Sequence, residues 1–163
     1  MWIFCCGMQR SGSTLQFQIT AKMVEDAGLG QRMEWTRAKR FRKLRKEHLN
    51  NPSWKVLKSH AFSEKMEKEF RRGNAKGVYC YRDLRDAFVS SMRKHELTFE
   101  QMWEAQFLET CIRQYEKWTA MPRVLVSKYE QMIADLPAEV ARIAKHLGIE
   151  LSSEKIQQLA DEH

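Results

Sequence analysis

Trp2-Ile3-Phe4-Cys5-Cys6-Gly7-Met8-Gln9-Arg10-Ser11-Gly12-Ser13-Thr14 is the stretch on which the fold turns. Trp2 to Cys6 is a run of large and apolar residues ending at a glycine, which reads as a short, fully buried strand. Ser13–Ala27 then carries Leu15, Ile19, Met23 and Ala27 at intervals of four, one face of a helix. Gly28 and Gly30 stop it. Between strand and helix, Gly7 to Thr14 has the G-x-x-x-x-G-x-[ST] skeleton of a phosphate-binding loop. Its glycines let backbone N–H groups converge on an anion at a helix N-terminus. Ser13 and Thr14 add hydroxyl donors. The alternative is an ordinary strand–helix turn that uses glycine for tightness. Strand, glycines, hydroxyls and helix agree on the anion site, so the segment predicts binding of an anionic nucleotide.

Further strands are expected at Trp54–Leu57, Gly77–Tyr81 and within Pro122–Ser127, where Val124-Leu125-Val126 is apolar. Helices are expected at Ser63–Arg72, from Asp83 to about His95, at Phe99–Thr119, at Leu136–Leu147 and at Ser152–Asp161, the last capped by Ser152 or Ser153. Strands alternating with helices predict a three-layer α/β fold. Its central, mostly parallel sheet has about four to five strands flanked by helices, as in P-loop-containing nucleotide hydrolases. The 163 residues fit one domain, 1–163. In such folds ligands bind beyond the carboxyl ends of the strands.

Apolar content of 43% and charged content of 30% are those of a globular chain. Cys5, Cys6, Cys80 and Cys111 form no C-x-x-C pair, and the first three sit in apolar runs. Free thiols in a reducing compartment are expected, not a disulfide frame or a zinc site. Met1–Cys6 is too short for the apolar core of a secretion signal, and no run is long enough to span a bilayer. The expectation is a cytoplasmic protein. The net charge of +7 is local: Arg37–Lys46 holds seven cations and no acid, and without it the charge falls to zero. Ala38, Phe41 and Leu44 give that stretch the spacing of an exposed amphipathic helix.

The loop lacks the lysine that follows the second glycine in ordinary P-loop nucleotide hydrolases; Ser13 stands there, and a cation appears earlier as Arg10. The third expected strand ends Tyr81-Arg82-Asp83, so a cation comes first where a magnesium-holding acid is expected. These features suit an anion better than a metal and make a magnesium-dependent kinase a poor reading. Lys58-Ser59-His60 ends the second expected strand, and a histidine there is placed for proton transfer. The alternative is a surface histidine, one of five. Arg82 and Ser90 stand eight apart, at a strand end and two turns into the next helix, where both can face one anion. The alternative there is a capped helix start with solvated charges.

These residues resemble the sulfotransferases that use 3′-phosphoadenosine 5′-phosphosulfate (PAPS). The family's first motif is similar to Arg10-Ser11-Gly12-Ser13-Thr14, its second to Lys58-Ser59-His60, its third to Arg82 and Ser90. A later Tyr-Glu and Leu-Gly match Tyr129-Glu130 and Leu147-Gly148. The resemblance implies that Arg10, Ser11, Gly12, Ser13 and Thr14 hold the 5′-phosphate and the sulfuryl group. It implies that Arg82 and Ser90 hold the 3′-phosphate and that Tyr129 lies near the adenosine. His60 is then the general base toward a hydroxyl or amine acceptor. Lys58 and Arg10 stabilise charge on the leaving phosphate, and no metal is required.

Two departures stand out. Leu15 replaces the tryptophan that the family often places after the loop, and the basic, glycine-rich segment found near the C-terminus of many members is missing before His163. Arg37–Lys46 is a candidate substitute for that segment; a solvated basic face is the alternative. The other readings are an atypical phosphotransferase, a basic nucleic-acid-binding protein and an inactive relative. The leading reading expects a small-molecule acceptor and no nucleic acid. Acceptor residues are expected in Gln31–Trp54 and His95–Trp103, with Trp35, Trp54, Phe62, Phe99 and Trp103 as lining or as core.

Overall fold

A computed structural model describes residues 1–163. Five strands form one all-parallel sheet: β1 Trp2–Gly7, β2 Gly30–Arg32, β3 Trp54–Ser59, β4 Ala75–Tyr81 and β5 Val124–Lys128. Their spatial order is β2-β3-β1-β4-β5, so the strand that opens the chain is the centre of the sheet. The helices are α1 Ser13–Asp26, α2 Ala38–Glu47, α3 Glu64–Arg71, α4 Leu84–His95, α5 Phe99–Glu104, α6 Phe107–Thr119, α7 Tyr129–Ala134, α8 Leu136–Leu147 and α9 Ser153–Asp161. None is long and apolar enough to cross a membrane.

Successive side chains of a strand point to opposite faces, and β1 uses both. Ile3 and Cys5 face a core with Ile19 and Met23 of α1, Val140 and Ile143 of α8 and Leu159 of α9. Trp2, Phe4 and Cys6 face the other core, with Phe41 of α2, Phe70 of α3 and Trp118 of α6. All of β1 is buried, which explains why it reads as an unbroken apolar run. All four cysteines are buried free thiols.

Three elements depart from the sequence expectation. Gly30–Arg32 is a three-residue edge strand, paired to Trp54–Val56, in a segment read only as a helix stop. The single helix expected over Phe99–Thr119 is two, α5 and α6, broken at Gln106, whose φ of 52° is left-handed. Tyr129–Ala134 is a short helix where only a motif was seen. Ser63, expected as the first residue of α3, is its cap and accepts from Met66 N–H; Ser152 caps α9.

Candidate active site

The loop after β1 is closed by contacts that only small residues permit. A Cβ on Gly7 would lie 2.7 Å from the Cys80 carbonyl oxygen. Gly12 has φ +80°, and a Cβ there would lie 2.6 Å from the Tyr129 ring and 2.7 Å from Met132 Cε. Met8 N–H bonds to Cys80 O and Gln16 N–H to Gly12 O, whereas the N–H groups of Gln9, Arg10, Ser11 and Gly12 donate to no backbone carbonyl. The first N–H groups of α1 are likewise without intrahelical acceptors. The result is a concave row of donors at a helix N-terminus, the arrangement that binds phosphate.

Three sequence clusters meet over this loop. Arg10 Nε donates to Ser90 Oγ at 3.0 Å, joining the loop to α4. Lys58 Nζ donates to Thr14 Oγ1. His60 Nδ1 lies 2.8 Å from Gly7 O. A carbonyl accepts only, so Nδ1 carries the proton and Nε2 of the neutral ring keeps its lone pair free. The Arg82 guanidinium lies 4.5 Å over the Tyr129 ring, its Nε is buried without a partner, and its one acid, Asp86, is 3.5 Å away and exposed. Its charge is therefore held in place by stacking and left free for an anion.

A cleft of about 450 Å³ is lined by Arg10, Gly12, Ser13, Thr14, Lys58, His60, Arg82, Ser90 and Tyr129. Of the residues expected at the site, Ser11 alone is absent from this wall. It is fully buried, with Oγ 2.7 Å from Met8 O and 2.8 Å from Cys80 O, so its hydroxyl braces the loop from behind. Gln9, Trp35, Lys94 and His95 also line the cleft; Trp35 and His95 fall in the segments expected to supply the acceptor, and Lys94 was not anticipated. Lys94 stands four residues after Ser90, one helical turn along the same face, a spacing that pointed to it. Trp35, expected as lining or as core, follows strand β2 and borders the cationic cleft.

The basic stretch takes a different course. Thr36 N–H bonds to Lys58 O at 2.9 Å, so α2 starts beside the cleft. It then runs down the sheet, with Phe41 packed 5.1 Å from Trp2 and 5.3 Å from Phe4. None of residues 37–46 lines the cleft, and Arg40, Lys43 and Arg45 pair with Glu34, Glu47 and Glu69. The additional cation at the cleft is Lys94 instead.

A second cavity of about 290 Å³ adjoins the first and shares Gln9, His60 and His95 with it. Met8, Met102, Phe107 and Cys111 give it an apolar wall. Burial pushes the Cys111 thiol up to about 11, so it stays protonated and acts as a small apolar group. None of the five aromatic residues expected as lining or as core borders this cavity, and Trp54 and Phe62 pack against the core. Phe99 and Trp103 stack on each other at 5.9 Å and face solvent, and Phe62 packs on Trp118.

Electrostatics set the state of the groups between the two cavities. Burial first, then the charges of Lys58 and Lys94, lower the His60 pKa; the Gly7 carbonyl opposes this. Burial first, then Lys94, lowers that of Lys58. His60 is thus a neutral, half-buried imidazole at the junction of a cationic cleft and an apolar pocket.

A sulfotransferase domain family matches residues 2–163. Among solved structures, a retinol dehydratase in complex with retinol and PAP is 20% identical, with a TM-score of 0.68 over 99% of this chain and 64% of that one. A mouse sulfotransferase complexed with PAP is 20% identical, with a TM-score of 0.71 over 98% and 62%. A sulfotransferase from Mycobacterium tuberculosis H37Rv is 14% identical, with a TM-score of 0.64 over 99% and 70%. At these identities the likeness is one of fold: the same α/β architecture, of which this chain spans somewhat less than two thirds of the first neighbours' length.

Proposed function

The chain belongs to the sulfotransferase domain family, and on that premise we propose that it moves a sulfuryl group from PAPS to a hydroxyl or amine of a small acceptor. The chain is read as one sulfotransferase-like domain over 1–163. One observation carries the proposal: His60 borders both the cation-lined cleft and the apolar cavity. The donor occupies the cleft and the acceptor the cavity, so the two meet at the imidazole.

The roles follow from the chemistry of each group. The loop N–H groups, Ser13, Thr14 and Arg10 hold the 5′-phosphosulfate, with Ser11 supporting the loop through its hydroxyl. Arg82 and Ser90 hold the 3′-phosphate, and Tyr129 lies beside the adenosine. His60 Nε2 takes the proton of the acceptor as its oxygen or nitrogen attacks sulfur in line. The bond between sulfur and the bridging oxygen breaks, and its electron pair stays on the 5′-phosphate. Lys58 and Arg10 stabilise the charge that develops there. The cleft's charged side chains, Arg10, Lys58, Arg82 and Lys94, are all cations. They supply the positive charge that a metal supplies in phosphoryl transfer, so the proposed reaction uses none. The apolar cavity favours a compact, largely apolar acceptor with one hydroxyl or amine. The buried thiols fit a reducing, cytoplasmic location.

Calorimetric titration with adenosine 3′,5′-bisphosphate (PAP) without magnesium, against ATP with magnesium, tests the proposal. Binding of the first is expected; magnesium-dependent binding of ATP alone overturns it. Two further results are expected. Arg82→Ala removes charge-assisted bonds of about 1.5–3 kcal/mol and weakens PAP binding roughly 10- to 100-fold. The pH profile of kcat/KM reports the free enzyme. His60 works in its neutral form and its pKa is lowered, so the acid limb falls below the ordinary histidine value of 6.5. An acid limb above that value contradicts His60 as the base.

A further inference from the structure

Two buried polar atoms, Arg82 Nε and Glu130 Oε2, have no partner, and they belong to neighbouring segments. Glu130 is the second residue of α7, which follows β5 without a connecting residue. Its other oxygen, Oε1, accepts the backbone N–H of Asp83 at 3.1 Å. Asp83 adjoins Arg82 and caps α4: its carboxylate accepts Arg85 N–H at 2.9 Å and pairs with Arg85 Nη2 at 2.8 Å. The residue before Glu130 is Tyr129. Its ring lies where a Gly12 Cβ would be, 2.6 Å away, and carries the Arg82 guanidinium on its face at 4.5 Å.

Two consecutive residues of α7 therefore touch both anion-binding segments. Tyr129 abuts the glycine of the loop after β1, and Glu130 ties down the backbone beside Arg82. A half-satisfied buried carboxylate is costly for stability, so its place calls for a reason other than packing. Glu130 forms no ion pair with Arg82, whose guanidinium stays on Tyr129 with its charge available.

We propose that Glu130 is a positioning residue: it fixes the separation of the two phosphate sites and so selects nucleotides that carry both a 5′- and a 3′-phosphate. The inference rests on the reading of the cleft as a PAPS site. When Asp83 N–H is anchored, the Cα of Arg82 is fixed relative to Gly12 through one short turn of helix. Without the anchor, Arg82 loses its registry with the loop. The loop still grips a 5′-phosphate, so the loss falls on the 3′-phosphate alone.

The test compares Glu130→Ala and Glu130→Gln by calorimetry with PAP and with adenosine 5′-monophosphate, alongside thermal melting. Glutamine keeps an oxygen that accepts Asp83 N–H. Glu130→Ala is expected to weaken PAP about tenfold, the scale of one charge-assisted bond, with little change for the monophosphate. Glu130→Gln is expected to restore the wild-type preference. If Glu130→Ala does not fold, Glu130→Asp, shorter by one methylene, takes its place with the same expectation. Equal weakening of both nucleotides, or a preference for PAP that survives in Glu130→Ala, overturns the positioning role. So does a glutamine variant that behaves like alanine. A wild-type protein that binds neither nucleotide overturns the reading of the cleft itself, and this inference with it.

Discussion

His60→Ala is expected to lower sulfuryl turnover by about 10²–10⁴-fold, the range that a positioned general base contributes, while affinity for PAP stays nearly unchanged. Both halves of that result come from geometry. Nδ1 is committed to Gly7 O at 2.8 Å, so the ring presents Nε2 in a fixed orientation. Burial keeps the imidazole neutral at neutral pH. The nucleotide's phosphates are assigned to other groups, namely the loop N–H groups, Arg10, Arg82 and Ser90, so the loss falls on proton removal. His60→Gln is expected to be nearly as slow as alanine, because an amide holds the Gly7 contact but accepts no proton. Steady-state rates with PAPS and a small phenol or alkyl alcohol, set beside PAP titrations, separate the two effects. A His60→Ala enzyme with full turnover removes His60 from the mechanism.

Trp118→Ala has the largest expected effect on stability. Trp118 is fully buried in α6. Its ring lies 4.9 Å from Phe62, 5.8 Å from Phe4 and 6.2 Å from Phe70. Removing a core tryptophan costs about 3–5 kcal/mol, against a total stability of order 5–15 kcal/mol for a domain. For a chain of this size the melting temperature is expected to fall by roughly 6–20 °C. Trp118 Nε1 also donates to His60 O at 3.2 Å, so the same residue holds the backbone that carries the base. Trp118→Phe keeps most of the packing but leaves that carbonyl unpartnered, at about 1–3 kcal/mol. Denaturant unfolding of the two variants separates packing from the hydrogen bond: a phenylalanine variant as unstable as alanine assigns the whole effect to the bond.

What was legible in the sequence follows from what is local. β1 and its loop combine a buried apolar run, two glycines and a hydroxyl-rich helix start, and each signal is local. Lys58, His60, Arg82 and Ser90 sit at the ends of readable strands or one helix onward, and parallel pairing brings those ends to one edge. β2 escaped because Gly-Gln-Arg has no strand pattern of its own; pairing with β3 makes it one. The break at Gln106 escaped because neither glycine nor proline marks it. Ser11 turned inward because the carbonyls of Met8 and Cys80 stand behind it, and Cys80 lies on another strand. The sequence leaves the five aromatic residues open between pocket lining and core for a similar reason. α5 has six residues, too few for a periodicity that separates outward Phe99 and Trp103 from buried Met102.

The sheet order carries a consequence for how the chain comes into being. β1 lies between β3 and β4, which follow it by about fifty and seventy residues, and it does not pair with β2. At ribosomal rates its second neighbour emerges roughly 4–15 s after it does. Throughout that interval Trp2-Ile3-Phe4-Cys5-Cys6 lacks at least one of its two partner strands, and it is an apolar segment of high strand propensity, the kind that nucleates aggregation. The segment that places the phosphate loop at the heart of the fold is thus also the nascent chain's main claim on a holding chaperone.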